Sequence, residues 1–116
     1  MRLLFASAVL ALAVSVVASE AKEFPYNKRP IVKVGQTVVL KGVRAPDCRG
    51  AAPTWAAIAG GMPKAAHGKF SDGGVGTTLS KSCNGTVAAR GVLYTGSKAG
   101  SESFTIFGDK FTVVVK

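Results

Sequence analysis

The chain has 116 residues and a formal net charge of +9, from 15 lysines and arginines against 6 aspartates and glutamates. This length is enough for one domain and not for two. The few acidic residues are scattered singly, which argues against the paired carboxylates of a hydrolase and against an acidic calcium site. The excess of positive charge favours anionic partners.

Residues 1–21 have the pattern of a secretory signal peptide. Arg2 precedes an apolar run over residues 3–17, and small residues offer cleavage after Ser19 or after Ala21. A transmembrane helix needs about 20 apolar residues, so we expect cleavage rather than a retained anchor. The expected product is a single domain of residues 22–116, periplasmic or secreted, with 14 basic and 5 acidic residues and the same net charge of +9.

The first residues after the expected cleavage site form the densest basic patch of the chain. Pro25 and Pro30 make this entry segment extended, because proline disfavours both helices and central strands. Aromatic residues between the cations could stack on sugar rings or bases. The predicted anionic-ligand patch consists of Lys22, Phe24, Tyr26, Lys28, Arg29 and Lys33. The simpler interpretation, which the sequence favours over ligand binding, is that these charges only keep an apolar-rich domain in solution.

Short apolar runs and glycine-rich turns then alternate along the chain. Residues 31–34 and 37–41 predict two short strands with a turn at Gly35-Gln36, closed by Gly42. Residues 53–59 favour a strand or irregular segment over a helical turn, because so short a helix is unstable alone. Residues 72–76 predict a glycine-rich turn, and Asn84-Gly85 predicts another.

Cys48 and Cys83 are the two cysteines of the chain. An even number of cysteines in an exported protein favours a disulfide. The catalytic alternative pairs Cys48 with His67, the single histidine, but no residue that would orient the imidazole is identified. We therefore predict a structural bond, with intermolecular disulfides as a third alternative.

Residues 91–115 predict a strand, a connection and a closing β-hairpin. Gly108-Asp109 is a two-residue glycine-first turn, which would place Phe107 opposite Lys110 and Ile106 opposite Phe111. One face of the hairpin is then apolar and the opposite face largely polar. The apolar face carries Phe104, Ile106, Phe111, Val113 and Val115. Because strand side chains alternate with a period of two, a one-residue slip would destroy this division.

The run from Tyr94 to Ile106, with the Val-rich strand after it, resembles the C-terminal half of bacterial immunoglobulin-like and cadherin-like modules. Gly100, Glu102, Ser103 and Phe104 match their Gly-acidic-Ser-Phe pattern. The resemblance implies an all-β fold, an immunoglobulin-like antiparallel sandwich of about seven short strands. It also implies adhesion, scaffolding or binding rather than catalysis, although fold does not determine function.

The sequence thus predicts a monomeric, exported, non-enzymatic binding or accessory module of the cell envelope, without cofactor or metal. The expected partner is an anionic polysaccharide or an envelope protein. A specific nucleic-acid partner is not expected, since no nucleic-acid-binding motif is present. The alternative function is a small periplasmic inhibitor that presents a loop, residues 59–68 or 73–76, to an enzyme.

Overall fold

The computed structural model describes residues 22–116; the predicted signal peptide lies outside these residues. The described chain is an all-β sandwich of two three-stranded sheets, which confirms the predicted fold class. Its six strands, one fewer than predicted, are β1 (Ile31–Val32), β2 (Thr37–Arg44), β3 (Gly68–Ser80), β4 (Gly85–Gly96), β5 (Gly100–Ile106) and β6 (Asp109–Val115). One short helix, α1 (Trp55–Ala59), lies between β2 and β3.

The two sheets are each built around one central strand. In the first, β4 pairs antiparallel with both β2 and β3. In the second, β6 pairs antiparallel with β5 and parallel with β1. The strands β1 and β2, adjacent in sequence and separated by the turn at Gly35, therefore belong to different sheets.

The core fills the space between these sheets. It contains Tyr94 and Val92 from the first sheet and the whole predicted apolar face of the hairpin from the second. The Tyr94 and Phe104 rings stack across the interface with centroids 5.8 Å apart. All five residues of that apolar face are buried, which confirms the predicted division of the hairpin.

The tip of the hairpin differs from the prediction. The turn residues are Phe107 and Gly108, because Ile106 pairs with Asp109 and Phe104 pairs with Phe111. Both turn residues have positive φ, 44° and 88°, which is the requirement of a type I′ turn. The turn lies one residue earlier than predicted, so every residue of β5 pairs two positions earlier on β6. Because strand side chains alternate with a period of two, the same residues still face the core.

Two further segments were assigned wrongly from the sequence. Residues 53–59 hold a helical turn rather than a strand, because the Thr54 hydroxyl caps the Ala57 N–H at 3.2 Å and Ile58 is buried in the core. Residues 72–76 lie within β3, where a bulge between Asp72 and Val75 absorbs the glycines. Likewise β2 continues through Gly42 to Arg44.

The predicted disulfide joins Cys48 to Cys83, which confirms the structural assignment of both cysteines. It connects the segment after β2 to the turn between β3 and β4. No free cysteine remains in the described chain, so Cys48 has no thiol with which His67 could form a nucleophile pair.

Candidate functional site: a cationic sheet face

The predicted basic patch is fixed to the sandwich by its backbone. The Phe24 N–H donates to the Thr77 carbonyl at 2.8 Å, and the Thr77 N–H donates to the Lys22 carbonyl at 2.8 Å. Farther along, the Asn27 N–H donates to the Leu40 carbonyl at 2.9 Å. The segment of residues 22–27 therefore crosses from β3 to β2, and these backbone hydrogen bonds fix the positions from which its side chains project.

Within this patch, Phe24 has a packing role. Its side chain is 5 % exposed and lies against three glycines, one on each strand of the first sheet. A Cβ at Gly91 would lie 2.6 Å from the ring, one at Gly76 2.7 Å and one at Gly42 3.0 Å. Real Cβ atoms do not approach as closely as at Gly91 and Gly76, and the distance at Gly42 is unusually short, so the glycines form a slot for the ring. Phe24 thus has no free face on which a ligand could stack, whereas the other five patch residues are exposed.

The structure extends the remaining cations into a larger surface. The Thr112 N–H donates to the Lys28 carbonyl at 2.8 Å and the Val114 N–H to the Pro30 carbonyl at 3.1 Å, which places residues 28–32 beside β6. We define the cationic face as the outward side of β1, β6 and β5, together with the adjoining residues before and after β1. It comprises Arg29, Ile31, Lys33, Ser101, Ser103, Thr105, Lys110, Thr112, Val114 and Lys116.

This face combines four cations with four hydroxyl groups and has no carboxylate among its residues. From Lys110 to Lys116 it extends about 20 Å, at roughly 3.3 Å per residue. Alternation explains the absence of acids, because Glu102 points inward from β5 and Asp109 pairs with Lys41 on β2. A flat, hydroxyl-rich cationic surface can meet several anionic groups of one polymer at once.

At one end of the face, a small cleft of about 110 Å³ is lined by Lys28, Arg29, Lys110 and Thr112. The Thr112 hydroxyl lies 2.9 Å from the Ser103 hydroxyl. Three cations therefore converge on a space of single-anion size.

Few of the positive charges are neutralised within the described residues. Of 14 lysines and arginines, Lys41 and Arg90 form salt bridges, with Asp109 and Asp72. The Arg90 guanidinium lowers the pKa of Asp72 through two hydrogen bonds, and the Gly74 N–H acts in the same direction. All four cations of the cationic face lack such a partner in residues 22–116.

A second cluster of polar groups lies between the sheets and serves the fold. The buried Tyr94 hydroxyl donates to Glu102 Oε2 at 2.7 Å. The same carboxylate accepts the Ala66 N–H at 2.7 Å and the His67 N–H at 2.9 Å. Burial raises the pKa of Tyr94, and the hydrogen bond to Glu102 raises it further. For Glu102 burial alone would raise the pKa, but the bonds from Tyr94 and the two N–H groups outweigh burial and lower it.

These contacts bear on the loop of residues 59–68 that the inhibitor alternative would use. Glu102 holds the end of this loop against β5, and the His67 carbonyl accepts the Ser97 N–H at 2.8 Å. The other loop proposed for that role, residues 73–76, is part of β3.

Sequence reasoning found Lys28, Arg29 and Lys33 but missed Lys110, Thr112 and Lys116 as members of one surface. The alternation of β6 does place Lys110 and Thr112 on a common side. The parallel pairing of β1 with β6 joins segments more than 80 residues apart, and no local pattern in the sequence indicates it.

Comparison of the chain with protein-family models, curated proteins and solved structures finds no match. Within residues 22–116 there is no group of three or more His, Cys, Asp or Glu side chains placed to hold a metal ion. Over the same residues, none of the helical structure has the length and apolar character needed to cross a bilayer.

Proposed function

We propose that the protein is an exported, non-enzymatic binding module whose cationic face holds an anionic polysaccharide of the cell envelope. The observation that carries the proposal is the grouping of Arg29, Lys33, Lys110 and Lys116 on one sheet face without a carboxylate. An anionic polymer would be attracted to this face at several points at once. The cleft at Lys28 and Lys110 provides a place for one sulfate, phosphate or carboxylate group.

Export is part of the proposal, supported by the signal-peptide pattern of residues 1–21 and by the disulfide. Disulfides persist in oxidising compartments and are rare in the cytosol. A small secreted domain also benefits from the bond, because a short chain buries a limited fraction of its surface.

We infer an immunoglobulin-like relationship for the fold, and the strand order supports it. In such sandwiches strands B, E and D share one sheet, while F and G lie in the other. Here β2-β4-β3 has the first order and β5-β6 forms a hairpin in the second sheet. The segment with α1 stands in the sequence where strand C would be.

The test compares dextran sulfate with uncharged dextran, two polymers that share one backbone. We expect saturable binding to dextran sulfate, no binding to dextran, and recovery of the polymer at unchanged chain length. Raising the salt from about 0.1 M to about 1 M shortens the Debye length from about 10 Å to about 3 Å. Residual retention at the higher salt would indicate specific contacts in the cleft.

Two triple variants separate the face from the overall charge. Lys33→Gln, Lys110→Gln and Lys116→Gln together remove three cations of the face. The control replaces three exposed cations outside it, Arg49→Gln, Lys64→Gln and Lys69→Gln, and has the same net charge. At about 1 kcal/mol per lysine near an anionic surface, the first variant should lose roughly a hundredfold in affinity at low salt. Equal losses in both variants would mean that net charge alone attracts the polymer, and the proposal would be wrong.

A further inference from the structure

An open groove of about 1060 Å³ lies between the C-terminal ends of β2 and β3, helix α1 and the turn of the β5–β6 hairpin. Its walls are mainly apolar and include Val43, Pro46, Pro53, Ile58, Leu79 and Phe107. The volume is slightly above the usual range for small-molecule sites, about 300–1,000 Å³. The groove shares no residue with the cationic face.

Half of the exposed large apolar side chains of the described chain line this one groove. Leu79 is 69 % exposed, Tyr26 52 % and Phe107 50 %, and all three line it. Only three other large hydrophobic residues of the described chain are comparably exposed, and none of them lines the groove. Apolar surface collected around one concave site marks a binding site more often than scattered exposure does.

One wall of the groove is held by a strained backbone. Phe107 has φ of 44°, a conformation that bulky residues seldom adopt. Its ring packs against Gly61, where a Cβ would lie 2.9 Å from Cε1. Such strain costs on the order of 1–3 kcal/mol and is concentrated at functional sites. An asparagine would fit this turn better, but it would not supply an aromatic wall.

The rim of the groove carries a net positive charge. Asp109 is the carboxylate among the described lining residues, and it is neutralised by Lys41. The Arg44 guanidinium donates to the Ala45 carbonyl at 2.8 Å and to the Ser82 hydroxyl at 2.9 Å, both uncharged. Lys81 is exposed and forms no salt bridge with the described residues. Among the described residues, Arg44 and Lys81 therefore leave an uncompensated charge of +2 beside an apolar surface.

We propose that this groove binds a single-chain anionic amphiphile, with its acyl or alkyl chain on Leu79, Ile58 and Phe107 and its charged head beside Arg44 and Lys81. The apolar walls would remove the chain from water, which is favourable by about 25 cal/mol per Å². The uncompensated cations distinguish an anionic head from a neutral or cationic one. Fatty acids and alkyl phosphates share this chemistry.

The first experiment titrates the disulfide-bonded protein with decyl phosphate below its micelle concentration, by calorimetry. Decyl glucoside has the same chain with a neutral head, and inorganic phosphate has the head without the chain. We expect one-to-one saturable binding of decyl phosphate, roughly tenfold weaker binding of decyl glucoside, and none of inorganic phosphate. Decanoate should bind like decyl phosphate if any anionic head suffices, whereas a phosphate-specific site would discriminate against it. Absence of decyl phosphate binding would overturn the proposal.

Substitutions on one strand provide a matched pair. Leu79→Ser removes an exposed apolar side chain from the groove, and Val75→Ser removes one that is 58 % exposed on the same strand but outside the groove. Burial of a leucine side chain predicts roughly a tenfold or larger loss of affinity for Leu79→Ser and no loss for Val75→Ser. Lys81→Gln should weaken the binding of decyl phosphate and leave the binding of decyl glucoside unchanged.

A further variant shows whether the two surfaces are independent. The triple variant Lys33→Gln, Lys110→Gln and Lys116→Gln of the cationic face should retain decyl phosphate binding while it loses dextran sulfate. Equal effects of Leu79→Ser and Val75→Ser, or loss of decyl phosphate binding in the triple variant, would mean that the groove is not the site.

Discussion

The Tyr94 hydroxyl donates a hydrogen bond of 2.7 Å to Glu102 and thereby joins β4 of one sheet to β5 of the other. Glu102 also accepts the Ala66 and His67 N–H groups, so one carboxylate holds both sheets and the loop before β3. All three of its hydrogen-bond partners are donors.

Glu102→Gln should therefore destabilise the domain, although the side chains have the same shape. An amide has one acceptor oxygen, and its NH₂ group would face a donor. We expect a loss of about 1–3 kcal/mol in the free energy of unfolding, measured by urea denaturation. Tyr94→Phe removes one bond and leaves two, so its loss should be smaller, about 1 kcal/mol. A larger loss for Tyr94→Phe than for Glu102→Gln would contradict this account.

The same pair predicts the pH dependence of stability. The pKa of Glu102 is lower in the folded state than in the unfolded state, so its contribution is present above the unfolded pKa and is lost as the pH falls through the folded pKa. Acid should therefore destabilise the wild type more than Glu102→Gln, in a window below the ordinary glutamate pKa of about 4.3.

At high pH, Tyr94 determines the direction in which stability changes. Its pKa is raised in the folded state, so the folded protein keeps a proton that the unfolded chain releases above about pH 10. Stability should fall above that pH, and Tyr94→Phe should reduce the fall. Partial burial and the neighbouring Asp109 also raise the pKa of Tyr26, so an absorbance titration should find both phenols ionising later than free tyrosine. A phenol in the folded wild type that ionises at the free value would contradict the structure.

The glycine slot can be tested with one methyl group. Gly91→Ala would place a Cβ 2.6 Å from the Phe24 ring, and overpacking of this kind costs about 1–3 kcal/mol. Gly60→Ala is the control, because nothing lies within 4 Å of the added Cβ and its φ of −68° suits alanine. Thermal unfolding should show a lower Tm for Gly91→Ala and an unchanged or higher Tm for Gly60→Ala. Equal behaviour of the two variants would show that Phe24 does not fill the slot.

Phe107→Asn should change stability and groove binding in opposite directions. Asparagine tolerates positive φ better than a bulky residue does, so the free energy of unfolding should rise by about 1 kcal/mol as the strain is relieved. The same change removes an aromatic wall of the groove and should weaken the binding of decyl phosphate. Simultaneous loss of stability and of binding would indicate that the ring mainly supports the fold.

The features that were predicted correctly from the sequence are those that local patterns determine. Alternation in β5 and β6 correctly placed Phe104, Ile106 and Phe111 in the core, because a shift of one position on each strand preserves the faces. The turn was misplaced, since a glycine-first turn was more plausible locally than a phenylalanine at positive φ. Pairings of distant segments, such as Phe24 with its glycines and β1 with β6, leave no local signal. The cationic face and the groove both depend on such pairings, which is why the predicted patch contained only part of the face.

The pairing of Ile31 with Val114 also has a consequence for biosynthesis. One sheet takes a strand from each extreme of the described chain, so it cannot be completed until the ribosome has made β6. Topologies dominated by such distant contacts fold slowly, on the order of milliseconds to seconds. If the chain is exported as we propose, the order of synthesis delays folding and keeps the polypeptide in the open form that a translocation channel accepts.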